Sequence, residues 1–431
     1  MILAIDLGST SFKAAVFDAA LTCRGAGAHP IPHRFAPGGV VEIEVDDAIR
    51  AFREAIAGAL REAAVAPDAI GALSVGSQAQ TFTIVDPDGR PKMPFISWQD
   101  VRAQDASRDL QANPRLADFA RHSSFDLFYA ALQVCQVRQI QMDRPGFIRP
   151  DDRLLNLPTF LVERCTGKAV LDDNLAAMCG FYSLVQRGWW EEALAACGIG
   201  AKQLPRVVGI GSVAALTGSG ARDFHLPAGI PVVLAGNDQT AGAYGARIAE
   251  QDATLLTMGT AQVVYTCRKT LPEPAPELIR GPYPGGLSYG MMACSGGNIV
   301  NWAQSVIAGC GTDETFFAQA AKAESGCRGL AFDSHLPEGA GRWEHVGLHH
   351  GPPDFARSVV ESLADRMVGL VRSLGVDPAR ARFLAAGGGS RAAVWIRILS
   401  EKLGAELNVT DASPLLGAAR MAREAAGQKG P

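Results

Sequence analysis

The chain opens with short apolar runs separated by small polar residues. Residues 2–5 form a strand-like run and Asp6-Leu7-Gly8-Ser9-Thr10 reads as a turn. Residues 12–17 form a second run closed by Asp18, and residues 21–28 a third. Runs and turn residues of this kind predict a β-meander. The period then changes. Ile49, Phe52, Ile56 and Leu60 recur at helical spacing, which predicts a helix over 46–64 capped by Asp46 or Asp47. Residues 70–75 return to strand and lead into Gly76-Ser77-Gln78-Ala79-Gln80.

The same opening recurs in the second half. Residues 254–257 predict a strand, Met258-Gly259-Thr260 a turn, and 262–266 and 287–293 further strands. A long amphipathic helix follows through Phe355, Val359, Leu363, Met367, Leu370 and Leu374. A strand over 382–386 breaks at Gly387-Gly388-Gly389, and a helix over 392–403, a strand over 406–409 and a helix from Pro414 complete the chain. This repetition predicts an internal duplication: two α/β domains, 1–248 and 249–431, facing each other across a cleft. The Pro- and Gly-rich stretch 271–286 reads as a surface excursion.

Composition narrows the function. Of 431 residues, 48% are hydrophobic and 19% charged, which fits a packed protein rather than a disordered one. The formal net charge is −4 and no Lys/Arg run appears, so nucleic acid is not expected as a partner. No apolar run approaches the length of a membrane span, and the N-terminus meets Asp6 without a basic region, which predicts neither membrane nor secretory signal. The 9 cysteines form no CxxC, which predicts reduced thiols in the cytoplasm.

The candidate chemistry sits at strand ends. The 6–10 turn with Lys13 offers backbone N–H groups, hydroxyls and a cation to a phosphate, and Asp6 could hold Mg²⁺ through water. A plain hairpin whose Asp bonds its own backbone fits the same residues. Gly259 and Thr260 supply the matching turn, and Gly387 to Gly389 permit close approach of a ligand to backbone or form a bare loop. Asp238 follows the strand-like run 231–237 through a turn, where a carboxylate can act as general base on an alcohol or simply cap a helix. Trp98, Asp100 and Arg102 end another strand with a ring, an acceptor and a donor, which suits a polyol or a surface ion pair.

In combination, these segments resemble the FGGY family of carbohydrate kinases over nearly the whole chain. DLGSTSFKAAVFD resembles that family's first phosphate segment, and SVGSQAQTFTIVDPDGRPKMPFISWQDVRA its sugar-binding segment. AGNDQTAGAYGA is similar to the catalytic segment, LLTMGTAQVVY to the second phosphate segment, CSGGNIVNW to a nucleotide-side loop, and AAGGGSRAAVWIRILSEKLG to the adenosine segment. The resemblance implies two ribonuclease H-like domains of the sugar kinase/Hsp70/actin type. It also implies ATP and Mg²⁺, with motifs closest in style to ketopentose kinases. Asp238 would be the base and, with Asp6, would hold the metal. Gln78, Gln80, Trp98, Asp100, Arg102 and Gln239 would meet a small sugar or polyol. Ser9, Thr10, Lys13, Gly259, Thr260, Gly297, Gly387, Gly388 and Gly389 would meet the nucleotide. A homodimer is compatible with this picture. Gln78-Ala79-Gln80 stands where many ketopentose members carry Gln-Met-His, which leaves the sugar open. A nucleotide-dependent regulatory protein on the same fold is the alternative, and Asp238 argues against it.

Overall fold

The computed structural model describes residues 1–334 and 341–427. The opening run is strand β1, Ile2–Leu7, which continues through Asp6 before the chain turns at Gly8. It is followed by β2, Ser11–Phe17, and β3, Cys23–Pro30, in an antiparallel meander. Strand β4, Ala72–Ser77, lies parallel to β1. Strands β5, Val213–Leu216, and β6, Pro231–Asn237, complete a six-stranded sheet ordered β5-β6-β4-β1-β2-β3, with β6 parallel to β4.

Every position of β1 is buried because the sheet is covered on both faces. Leu3, Ile5, Leu7 and Phe12 face helix α1, Val45–Glu62, through Phe52, Ile56 and Leu60. Each large apolar side chain buried there contributes about 1.5–3 kcal/mol. The opposite face carries Ala4, Ala15, Ala72 and Ala235, which pack with Ala418, Ala419 and Ala422 of the C-terminal helix Pro414–Gly427. Helix α1 starts at Val45, one residue before the expected 46. Its cap position is Glu44, without a side-chain cap bond, and Asp46 and Asp47 sit in its first turn, where negative charge complements the helix dipole. A second sheet orders the short strands Arg34–Ala36, Val40–Ile43, Phe95–Ile96, Phe82–Val85 and Arg153–Asn156. Helices α2, Gln133–Asp143, α3, Asp173–Met178, and α4, Asp238–Gly245, belong to the same unit.

A second compact unit contains Ala246–Arg268 and the described residues of Tyr289–Ala412. Five of its strands are β7, Ala253–Met258, β8, Ala261–Arg268, β9, Leu287–Ser295, β10, Arg382–Ala386, and β11, Leu407–Val409, which neighbour one another in the order β9-β8-β7-β10-β11. β7 is antiparallel to β8 and parallel to β10, as β1 is to β2 and β4. The two sheets therefore repeat one topology. Helices α5, Gly297–Val306, α6, Asp313–Ala320, α7, Pro352–Ser373, and α8, Ala393–Leu403, belong to this unit.

The expected surface excursion at 271–286 is partly built into the first unit, to which Lys269–Ser288 and the C-terminal helix belong. Arg280 is buried and donates to the carbonyls of Ala120, Arg121 and Pro272. The amide of Glu277 donates to Asp126. Among the described residues no helix is long and apolar enough to cross a membrane.

Candidate active site

Strands β1, β4 and β6 are parallel neighbours, so their carboxyl ends lie at one edge of the sheet. In register, Asp6 on β1 stands opposite Gly76 on β4, and Ser77 opposite Asn237 on β6. The charge of Asp238 acts on the Asp6 carboxylate. Burial first, then the Asp238 charge, raises the pKa of Asp6 to about 7, against an opposing pull from Lys13. Asp6 Oδ1 is buried with no hydrogen-bond partner.

Asp238 follows β6 directly. The chain passes from strand into α4 without the expected intervening turn, so Asp238 is both the first helical residue and the group at the strand's end. Its carboxylate is half-buried and accepts from the Gln239 amide at 2.9 Å. Burial raises its pKa, opposed by hydrogen bonds from the Gln239 and Asn237 groups. A carboxylate so placed takes up a proton more readily than one in water.

The remaining predicted residues of this unit divide into engaged and open groups. Gln78 is buried and spans two neighbours: Nε2 donates to Gly8 O and Oε1 accepts from Thr81. It thereby ties the 8–10 turn to the end of β4. Gln80 has a left-handed backbone at φ +69°, and its Oε1 accepts from the Gln133 amide at the start of α2. Trp98 is 43% exposed, with its amide held by Thr81 Oγ1. Asp100 differs from expectation. It is fully buried, and its two oxygens accept from the Val41 amide, from Arg102 Nε at 2.9 and 3.0 Å, and from Gln136 Nε2. Arg102 also reaches Glu42 at 2.7 Å. The ion-pair reading fits Asp100 and Arg102, which leaves Trp98 as the exposed one of the three. Ser9 is half-buried, and Thr10 and Lys13 are exposed.

The second unit gathers its own candidates. Gly259 and Thr260 form the turn between β7 and β8, and the amides of Gly296, Gly297 and Asn298 donate to Thr260 O and Gly259 O. The start of α5 is thus fastened to the back of that turn. Gly387, at φ +92°, lies so close to Met258 that a Cβ would stand 2.7 Å from Met258 O. At Gly389 a Cβ would meet the Trp395 ring at 2.7 Å, whereas at Gly388 it would meet open space. Gly388 lines a cavity of about 540 Å³ with Phe317 and Ala321 from the α6 region and Ala392 to Val394 at the start of α8.

The N-terminal domain model of the FGGY family of carbohydrate kinases matches residues 1–245, and its C-terminal domain model matches residues 254–426. The chain belongs to the FGGY family of carbohydrate kinases. A xylulose kinase of Escherichia coli K12 is 26% identical over 377 residues, 83% of this chain and 76% of that protein. A glycerol kinase of Agrobacterium fabrum is 26% identical over 458 residues, 99% of this chain and 90% of that one. The crystal structure of xylulose kinase from Rhodospirillum rubrum superposes with a TM-score of 0.88 at 23% identity, covering 100% of this chain and 90% of that one. The fold is the two-domain actin/Hsp70-like fold of FGGY sugar kinases, and the chain is an ATP-dependent kinase of a hydroxyl on a small sugar or polyol.

As an FGGY kinase the chain is expected to use a divalent cation with its nucleotide. The donor set fits one: Asp6 presents a buried oxygen that no protein donor reaches, near the carboxylate of Asp238. Mg²⁺ takes one or two carboxylates and fills its remaining positions with phosphate oxygens and water, so two suffice. Sequence reading missed Asn174, Gln133 and Thr81, which hold Asn237, Gln80 and Trp98. Each is an ordinary polar residue far along the chain from the group it supports.

Proposed function

We propose that this kinase acts on a ketopentose of the xylulose type, with Asp238 as general base. The observation that carries the reading is the Asp238 carboxylate, set at the end of β6, acting on Asp6 and braced by Gln239. In the proposed reaction the sugar hydroxyl oxygen bonds to the γ-phosphorus of ATP as the bond from that phosphorus to the ADP oxygen breaks. The hydroxyl proton passes to Asp238. Such transfers depend mainly on positioning and charge neutralisation.

Gln80, Trp98 and Gln239 would orient the sugar, the indole covering its carbon face and the amides meeting hydroxyls. Gln78 would serve by holding the Gly8 carbonyl, and Asp100 and Arg102 by fixing the Trp98 turn. Ser9, Thr10 and Lys13 would meet phosphate oxygens, as would the amides of Gly259 and Thr260, with Gly297 fastened behind them. The cavity beside Gly388 would take the adenosine, with Gly387 and Gly389 keeping the loop close to Met258. Mg²⁺ held by Asp6 and Asp238 would neutralise charge on the phosphate oxygens. The xylulose preference draws on relatives named xylulose kinase from Escherichia coli and Streptomyces rubiginosus.

The test is a coupled ADP assay across pentuloses, hexuloses, glycerol and other polyols. The reading expects the highest kcat/KM with a pentulose. A clear preference for glycerol or a hexulose would overturn the substrate assignment while leaving the kinase intact. ATP hydrolysis indifferent to every added sugar would favour a regulatory protein.

A further inference from the structure

Strand β6 is irregular just before Asp238. It pairs Val232 with Leu73, Val233 with Ser74 and Leu234 with Val75, and next pairs Asn237 with Ser77. Three steps along β6 are matched by two along β4, so the strand carries one extra residue, a β-bulge. Gly236 occupies it at φ +72°. A bulge turns nearby amides out of the ladder, and a buried amide needs another acceptor. Here the acceptor is a side chain: the Asn237 amide donates to Asn174 Oδ1 at 2.9 Å.

Asn174 is the second residue of α3 and is fully buried. Its Nδ2 donates to Thr240 Oγ1 in α4 at 3.1 Å and to Pro282 O at 2.8 Å. The amide therefore bonds the residue before Asp238 and the residue two beyond it. The fit leaves no room for adjustment at the bulge, since a Cβ on Gly236 would lie 2.8 Å from Asn174 Oδ1 and 2.4 Å from Ile210 Cδ1. Asp173, next in the chain, accepts from the Ile210 amide and so anchors the start of α3 to the same wall.

We infer that Asn174 is a positioning residue that aims Asp238 by fastening the bulge of β6 to α4. This rests on the reading of Asp238 as the base. Asn174 bonds backbone and hydroxyl on either side of Asp238 and Gln239, touches neither side chain, and so acts on the reacting atoms indirectly, chiefly through the aim of the base. Its loss should therefore slow transfer rather than weaken binding.

Steady-state kinetics on Asn174→Ala, Asn174→Asp, Asp238→Asn and the Asn174→Ala/Asp238→Asn double variant test this. Asn174→Ala should lower kcat by roughly 10²-fold, the cost of about an ångström of misplacement, with the KM values for sugar and ATP little changed. Asn174→Asp keeps the acceptor for Asn237 and should recover part of the loss. It also provides the readout if the alanine variant fails to fold. In the double variant the loss should not exceed that of Asp238→Asn alone, because a residue acting through Asp238 has nothing left to aim. Multiplying losses in the double variant would overturn the inference. So would parental kcat in a correctly folded Asn174→Ala alongside a slow Asp238→Asn. A fast Asp238→Asn would instead remove the base assignment on which the inference rests.

Discussion

Among the described residues, Asp6 and Asp172 are the buried carboxylates with an oxygen that no donor reaches, and burial raises the pKa of each to about 7. For Asp6 a second carboxylate, that of Asp238, is near enough to act on it, and the pair suits a cation. Asp172 instead caps α3 by accepting from the Leu175 amide, and its other oxygen is left without a partner. Between its ordinary pKa near 4 and its folded value of about 7 the folded protein retains a proton that the unfolded chain has lost. Stability should thus fall as pH rises through that window, and the contribution should be gone above it. Asp172→Asn caps the helix equally well and never ionises, so it should match the parent in urea unfolding at pH 4 and exceed it at pH 8. Equal gains at both values would contradict the assignment. At Asp100 the ion-pair reading makes a different demand. Removing its carboxylate leaves Arg102, Gln136 and the Val41 amide without an acceptor, so Asp100→Ala should lose about 3 kcal/mol of stability. Sugar KM should rise only as the Trp98 turn loosens. A variant of parental stability with a raised sugar KM would restore Asp100 as a direct contact.

Two turns carry the phosphate chemistry in this account, and each is stiffened from behind. The Gly8 turn is held by Gln78, and the Gly259 turn by the amides at the start of α5 and by Gly387. The three glycines in succession are not equivalent. Gly387 combines φ +92° with a Cβ position 2.7 Å from Met258 O, whereas Gly388 faces open space. Backbone strain of this kind costs on the order of 1–3 kcal/mol. Gly387→Ala should therefore lower the melting temperature and raise the ATP KM, as the Met258 turn shifts, with the sugar KM unchanged. Gly388→Ala should melt with the parent. If the two variants melt together, the close packing of Gly387 on Met258 is not what the loop requires.

Across the whole molecule, the repeated strand order, the two turns proposed to meet phosphate and the strand leading to Asp238 were legible because local patterns carry them. Apolar runs, turn residues and glycines mark β1, β2, β7, β8 and β10 to within a few residues. Contacts between residues distant in sequence were not legible. Arg280 looks like a charge in a Pro- and Gly-rich loop until it is seen donating to Ala120 and Arg121 O. The alanines of the last helix give no hint of which sheet face they cover, and Asn174 carries no local sign that it bonds Asn237. Asp100 resembled a sugar ligand because an acid beside an aromatic ring fits a polyol and an ion pair equally well until its partners are known. The central claim, that Asp238 is the base of a sugar kinase, is tested most directly by kcat for Asp238→Asn with the best sugar, beside an ATP titration and a thermal melt. The amide keeps the shape but cannot accept the hydroxyl proton, so kcat should fall about 10²–10⁴-fold while ATP binding and folding persist. A folded variant retaining more than about a tenth of parental kcat would contradict the account.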